Sequence, residues 1–276
     1  MTAGRLTGRV LERIFDGLSD RDRAILQDVA HNRVLSGAQL SRLHFVTISV
    51  TGRDRIRRKV LARLALLDVL TALDRRVGGV RSGSAGLVFA PGVAGQRLLP
   101  LLAAEYATKP SRRARRPWTP GERFLQHSLD VSELYVQLRE QERTGALTLV
   151  RWAVESAATY PNGFGGWMKP DASLLLRAGD VEDSWVIELD RATESVTTLR
   201  NKLLVYLDFA STGQIGPDGV IPRVLVVVSH DKPAVIEKRF SVIQELVAGL
   251  PEPAGQLIHV ARFTQAATHL DEILKG

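Results

Sequence analysis

The stretch Lys169–Ser195, KPDASLLLRAGDVEDSWVIELDRATES, decides how the rest of the chain is read. Two strand-like runs, DASLLLRA and SWVIELD, flank the turn residues GDVED, which is the pattern of a β-hairpin. Side chains alternate along a strand, so Val186, Glu188 and Asp190 share one face while Ile187 and Leu189 point to the other. Asp171 starts the preceding strand, and a hairpin brings it towards Glu188. Like charges gathered in this way are unfavourable unless a cation lies between them or a proton is shared. A hard divalent cation, Mg²⁺ or Mn²⁺, would answer that need, because it takes carboxylate oxygens and can polarise a phosphoryl oxygen or activate a water. Asp171, Glu188 and Asp190 are therefore the candidate metal ligands and catalytic acids. The plainer reading makes them structural partners of Arg191, Lys202 or Arg177.

Downstream, VTTLRNKLLVYLDFASTG reads as a helix ending at Gly213, PRVLVVVSH as an apolar strand and PAVIEKRFSVIQELVAGL as a helix; QLIHVARF is a strand and TQAATHLDEILKG a last helix. Upstream, TPGERFLQHSLDVSELYVQLREQERTG is a long amphipathic helix capped by Thr119, with Phe124, Leu125, Leu129, Leu134, Val136 and Leu138 as its apolar positions. ALTLVRWAVES follows as a strand, and NGFGG at residues 162–166 reads as a flexible approach to KPD. The order αβββαβαβα predicts a mixed sheet flanked by helices, an α/β arrangement within an α+β chain.

The first half of the chain has a different charge. Residues 1–117 hold 22 Lys and Arg against 9 Asp and Glu, a balance of +13, whereas the remainder is −6, giving the net +7. A polycationic half favours a polyanionic partner, double-stranded DNA first, because each phosphate neutralised releases condensed counterions. LSDRDRAILQDVAHN predicts a helix capped by Ser19, and Ser36 caps a short second one over GAQLSRLHF. In TGRDRIRRKVLARLALLDVL, the residues Ile56, Val60, Leu64 and Leu67 form an apolar stripe, with Arg53, Arg55, Arg57, Arg58 and Lys59 crowding its opening turns. Two β-type runs then flank a Gly/Ser/Arg-rich turn. Three helices and a hairpin are the order of a winged helix-turn-helix, whose third helix enters the major groove and whose hairpin touches the backbone. Those five cations, with Arg75, Arg76 and Arg81 on the wing, are the candidate DNA contacts. The Pro- and Arg-rich segment near residues 108–117 reads as a basic linker, separating a DNA-binding domain at 1–107 from a second domain at 118–276.

KPD, seventeen residues from Asp171 to Glu188, and then ELD resemble the core of the PD-(D/E)xK restriction-endonuclease-like superfamily. More narrowly, a winged helix followed by HSLDV, PD, ELDRATES and a K-x-x-x-Y helix (Lys202, Tyr206) is similar to the replication-relaxation family of actinobacterial and firmicute plasmids and mobile elements. The resemblance implies a Mg²⁺-dependent DNA endonuclease or nickase. The alternative is a catalytically inactive DNA-binding factor of replication, transfer or transcription, with a nuclease-like domain for dimerisation or docking. A homodimer is then a possible partner. The superfamily's lysine, two residues after the glutamate, is replaced here by Asp190. Lys202, on the inward face set by Leu199, Leu203 and Tyr206, is the preferred substitute, with Arg191 the other. His127, on the helix before the hairpin, takes the place of an auxiliary acid or base; Glu133 stands six residues on, roughly on the opposite face.

Several chemistries are excluded by pattern. There is no cysteine, hence no thiol nucleophile and no Cys-bound zinc. The six histidines are scattered without paired spacing, against a three-histidine relaxase centre. No G-x-x-x-x-G-K-[ST] or G-x-S-x-G occurs. No apolar run reaches transmembrane length, so a cytoplasmic protein without a membrane partner is expected.

Overall fold

Two serines set the helices of the N-terminal half. The protein is described by a computed structural model over residues 6–76, 86–104, 114, 115, 117 and 120–276. After α1 (Gly8–Asp16) come α2 (Asp20–Asn32), β1 (Leu35–Ser36), α3 (Gly37–His44), α4 (Val50–Leu66), β2 (Leu70–Arg76), β3 (Leu87–Pro91) and α5 (Val93–Ala104). Ser19 caps α2 by accepting from Asp22 N, while Asp22 Oδ2 accepts from Ser19 N at 2.9 Å; Ser36 and Gln39 repeat this capping box on α3. Asp22 is buried and also receives Arg63 of α4 at 2.5 Å, which ties α4 to the start of α2. The three strands form an antiparallel sheet in the order β1-β3-β2.

The buried stripe of α4 differs from the expected one. Leu61 and Leu64 are buried, and Arg57 lies on the same stripe one turn earlier; Ile56, Val60 and Leu67 are only partly covered. The inward face is rotated by about one residue, so a predicted surface arginine falls inside.

The chain divides into two compact units, Met1–Ser132 and Glu133–Gly276. Helix α6 (Glu122–Arg143) is continuous through the division. Its first half belongs with the first unit: Leu125 and Leu129 pack with Val34, Leu73, Val88 and Ala90, and Leu129 O accepts from Gln39 Nε2 at 2.9 Å. Phe124, expected on the apolar face, is half exposed. Thr119, the expected cap, lies outside the described residues.

The second unit contains β4 (Thr148–Val154), β5 (Tyr160–Pro161), β6 (Trp167–Met168), β7 (Ala172–Ala178), β8 (Val181–Asp190), α7 (Val196–Ser211), β9 (Arg223–Val228), α8 (Pro233–Ala248), α9 (Ala254–Leu257), β10 (Ile258–Arg262) and α10 (Ala266–Lys275). Five strands form one mixed sheet in the order β10-β9-β8-β7-β4. The pairs β4/β7 and β7/β8 are antiparallel, and β8/β9 and β9/β10 are parallel. Parallel neighbours need crossovers, and α7 and α8 supply them. Both lie over one face, where Leu199, Leu203, Phe240 and Ile243 pack on Val186, Val224, Val226 and Ile258. The opposite face carries Trp152 against Tyr135 of α6, and Trp185 in a chain of edge contacts through His259 to His269 of α10. Because β8 and β9 are covered on both faces, their sequences read as apolar runs, and a carboxylate within β8 is buried by position. Among the described residues no helix is long and apolar enough to cross a membrane.

Candidate functional site

Glu188 sits near the end of β8, opposite Val226 of β9, and is 2% exposed. Register decides its direction: Val186, on the same face, packs into the core beneath α7, so Glu188 turns towards that helix too. Ser195 Oγ caps α7 by accepting from Thr198 N at 3.0 Å, fixing the helix start five residues after the strand ends. Leu199, Leu203 and Tyr206 then face inward, and Lys202, one turn before Tyr206, lies beside them. Lys202 Nζ donates to Glu188 Oε2 at 2.6 Å, and Tyr206 OH makes a short hydrogen bond to Glu188 Oε1. Both oxygens of the carboxylate are therefore engaged.

The electrostatics follow from this geometry. Burial pushes the Glu188 carboxyl up to about 7; Lys202 and Tyr206 pull it down, and the Asp171 carboxylate adds to the rise. Burial also lifts the Tyr206 hydroxyl well above its ordinary range, and the Glu188 charge lifts it further. Burial works against the Lys202 ammonium, but the charge and hydrogen bond of Glu188 outweigh it, so its pKa rises. The phenol thus keeps its proton and donates it to one carboxylate oxygen, while the ammonium donates to the other.

Asp171 and Asp190 are placed differently. Asp171 N donates to Ile187 O at 3.0 Å, and its Oδ2 accepts from Leu189 N at 2.8 Å, extending the β7/β8 ladder with a side chain. Its charge still reaches Glu188 and Lys202. Asp190, on the Glu188 face, meets Arg239 of α8: Nη2 donates to Oδ2 at 2.6 Å, and Nε lies 3.2 Å from each oxygen. Arg239 Nη2 also reaches Glu194 O at 3.0 Å, and Asp190 Oδ1 caps the turn by accepting from Ala192 N at 2.5 Å. Of the two candidates for the displaced lysine, Lys202 meets Glu188, whereas Arg191 lies 3.5 Å from Asp231.

Each of these three carboxylates is engaged by groups of this chain. Among the described residues no group of three or more His, Asp or Glu is arranged to hold a metal ion. An ammonium and a phenol hold Glu188, a guanidinium holds Asp190, and a backbone amide holds one oxygen of Asp171. The charges of Glu188 and Asp190 are thus met by side chains of this chain, while the Asp171 carboxylate still repels that of Glu188. Arg239 could not have been found from sequence, since it lies forty-nine residues beyond Asp190 with no local pattern linking them. Lys202 and Tyr206 were legible from their spacing of four on an inward helix face. His127 and Glu133 are half-buried on α6; His127 falls in the first unit, and Glu133 opens the second.

In the first unit, α4 presents Arg55, Arg58, Lys59, Ala62 and Leu66 on one exposed face. Arg53 is half-buried, and its guanidinium donates to Val46 O and Ile48 O, closing the turn before the helix. Arg57 is 5% exposed and pairs with Asp54 at 3.2 Å, so it does not belong to the outer face. The backbone of Arg75 and Arg76 lies in β2, while their side chains and all of Arg81 fall outside the described residues, as does most of the 108–117 segment.

No curated protein and no solved structure matches the chain. A family model described as replication-relaxation matches residues 26–224, from within α2 to the start of β9, and so takes in both α4 and the Glu188 centre. That match spans well over half of the sequence, and the protein belongs to the replication-relaxation family.

Proposed function

We propose that this protein is a DNA-binding factor of plasmid or mobile-element replication or transfer, reading duplex DNA with α4 and carrying a nuclease-like second unit whose acidic residues are structurally engaged. The carrying observation is the outer face of α4, where Arg55, Arg58 and Lys59 stand exposed within little more than one helical turn. The order α2-β1-α3-α4-β2-β3 with its β1-β3-β2 sheet supports a winged helix-turn-helix, in which α4 is the groove-entering helix. The +13 charge of residues 1–117 supports a polyanionic partner. In the second unit, the antiparallel hairpin followed by two parallel crossover strands supports a PD-(D/E)xK-like core.

The test is duplex binding as a function of salt, with wild type beside the triple variant Arg55→Ala, Arg58→Ala, Lys59→Ala. Each phosphate contact removed lowers the slope of log affinity against log salt by about 1. An unchanged slope in the triple variant overturns the α4 interface. Incubating supercoiled plasmid with Mg²⁺ or Mn²⁺ tests the second unit. Nicking that is lost in Asp171→Ala or Glu188→Ala would show that Lys202 and Tyr206 release Glu188 to a cation, and would replace this reading with an endonuclease.

A further inference from the structure

In the second unit, an apolar surface lies on two loops that touch each other. The β5–β6 hairpin spans residues 160–168, YPNGFGGWM, and the loop between α7 and β9 covers 213–222, GQIGPDGVIP. Phe164 and Trp167 are each 59% exposed on the first, and Ile215 is 64% exposed on the second, with Val220 and Ile221, five and six residues on, also exposed. A Cβ at Gly163 would lie 2.3 Å from the Gln214 carboxamide, so the hairpin and the loop are in close contact there.

Neither segment is the flexible approach that NGFGG suggests. Asn162 Oδ1 accepts from Phe164 N at 2.9 Å and Gly166 N at 2.8 Å, which closes the hairpin turn. Tyr160 and Met168 anchor its base in the core beside Tyr206 and Phe209. The second loop closes on itself through Gly216 N to Val220 O at 2.7 Å. Asp218 pins it to the sheet: Arg151 grips both carboxylate oxygens at 2.7 and 2.6 Å, and Ser184 Oγ donates at 2.6 Å. Asp218 is the one residue of either segment that carries a charge at neutral pH, and its side chain is 8% exposed. Pre-ordered loops thus hold large apolar groups in solvent, and neither loop carries an exposed charge of its own; Lys169 and Arg223 flank them.

We propose that this surface is the interface for a second copy of this chain. Charge is the first argument. A duplex-facing surface needs cations, and a docking site for a charged partner needs the opposite sign, but these nineteen residues offer neither. A second copy brings the same uncharged face and meets no like-charge penalty. The second argument is symmetry. In a two-fold interface the same patch appears on both sides, so it must contain complementary halves. Here one half is aromatic, Phe164 and Trp167, and the other aliphatic, Ile215, Val220 and Ile221; each copy's rings can cover the partner's branched chains. The inference is independent of whether α4 reads DNA. If it does, a dimer presents two α4 helices to two half-sites.

Sedimentation velocity of the full chain, from about 1 to about 100 μM, is the deciding measurement. Wild type is expected to move from monomer to dimer over that range. Trp167→Ala and Ile215→Asp, both at exposed positions, should each raise the dissociation constant by at least about 30-fold. Val181→Asp, an exposed apolar position at the start of β8, should leave it unchanged. A wild type that stays monomeric overturns the proposal and gives the patch to another partner. A dimer indifferent to both patch variants overturns it equally, by placing the interface elsewhere. Thermal melts of each variant separate a lost interface from a lost fold. Duplex binding by the monomeric variants is scored separately, so failure of DNA binding and failure of dimerisation are distinguishable.

Discussion

The two charged regions of this molecule use the same chemistry in opposite ways. On α4, cations stand outside at the surface; around β8, every charge named as a ligand is turned into the protein and answered by a side chain or backbone group. Arg57 and Arg58 show the contrast within one helix. They are adjacent in sequence, yet Arg57 is 5% exposed and paired with Asp54, whereas Arg58 is exposed and bonds only to the carbonyl of Asp54 within its own helix. Position on the helical period, rather than charge density, decides whether an arginine is a contact or a strut.

That contrast can be broken most forcefully at Arg239. Arg239→Ala leaves Asp190 buried without its cation, and the expected loss is about 3–5 kcal/mol in urea-unfolding experiments. A loss below about 1 kcal/mol would mean that solvent reaches Asp190 and that the second region is as open as the first.

A smaller effect is expected at Glu188, and it depends on pH. Its carboxyl is raised from an ordinary 4.5 to about 7 in the folded protein, so between those values the folded state holds more protons than the unfolded one. Stability from this group is therefore complete below about 4.5 and is lost as pH rises towards and through 7. Glu188→Gln removes the titration, and its melting temperature should gain on wild type from pH 5 to pH 8. Parallel pH profiles for the two proteins would show that burial does not raise the Glu188 carboxyl.

The smallest changes sharpen the comparison within α4. Arg57→Ala should cost about 1–3 kcal/mol of stability and leave the salt slope of DNA binding intact. Lys59→Ala should do the reverse, with stability within about 0.5 kcal/mol of wild type and a slope lower by about 1. If both variants behave alike, the division between strut and contact fails.

Much of this was written locally. Ser19 and Ser36 announced their helices because a hydroxyl followed three residues later by a polar side chain is a self-contained bonding unit. The alternation in SWVIELD placed Glu188 and Asp190 on one face, and a spacing of four on α7 brought Lys202 and Tyr206 to the same carboxylate. What failed needed tertiary information. The five cations opening α4 looked equivalent, because a shift of about one residue in the apolar stripe hides only Arg57. The partner of Asp190 was equally invisible, because Arg239 arrives from a helix three elements later. The NGFGG stretch looked slack, although Asn162 ties its glycines into a defined turn.

The Asp190–Arg239 pair also limits how this lineage can change. Installing a lysine two positions after Glu188, in place of Asp190, would set two cations against each other in a buried setting and detach the turn that Asp190 caps. Asp190→Lys alone should therefore destabilise the fold strongly, and exchanging Arg239 for an acid beside it should recover part of the loss.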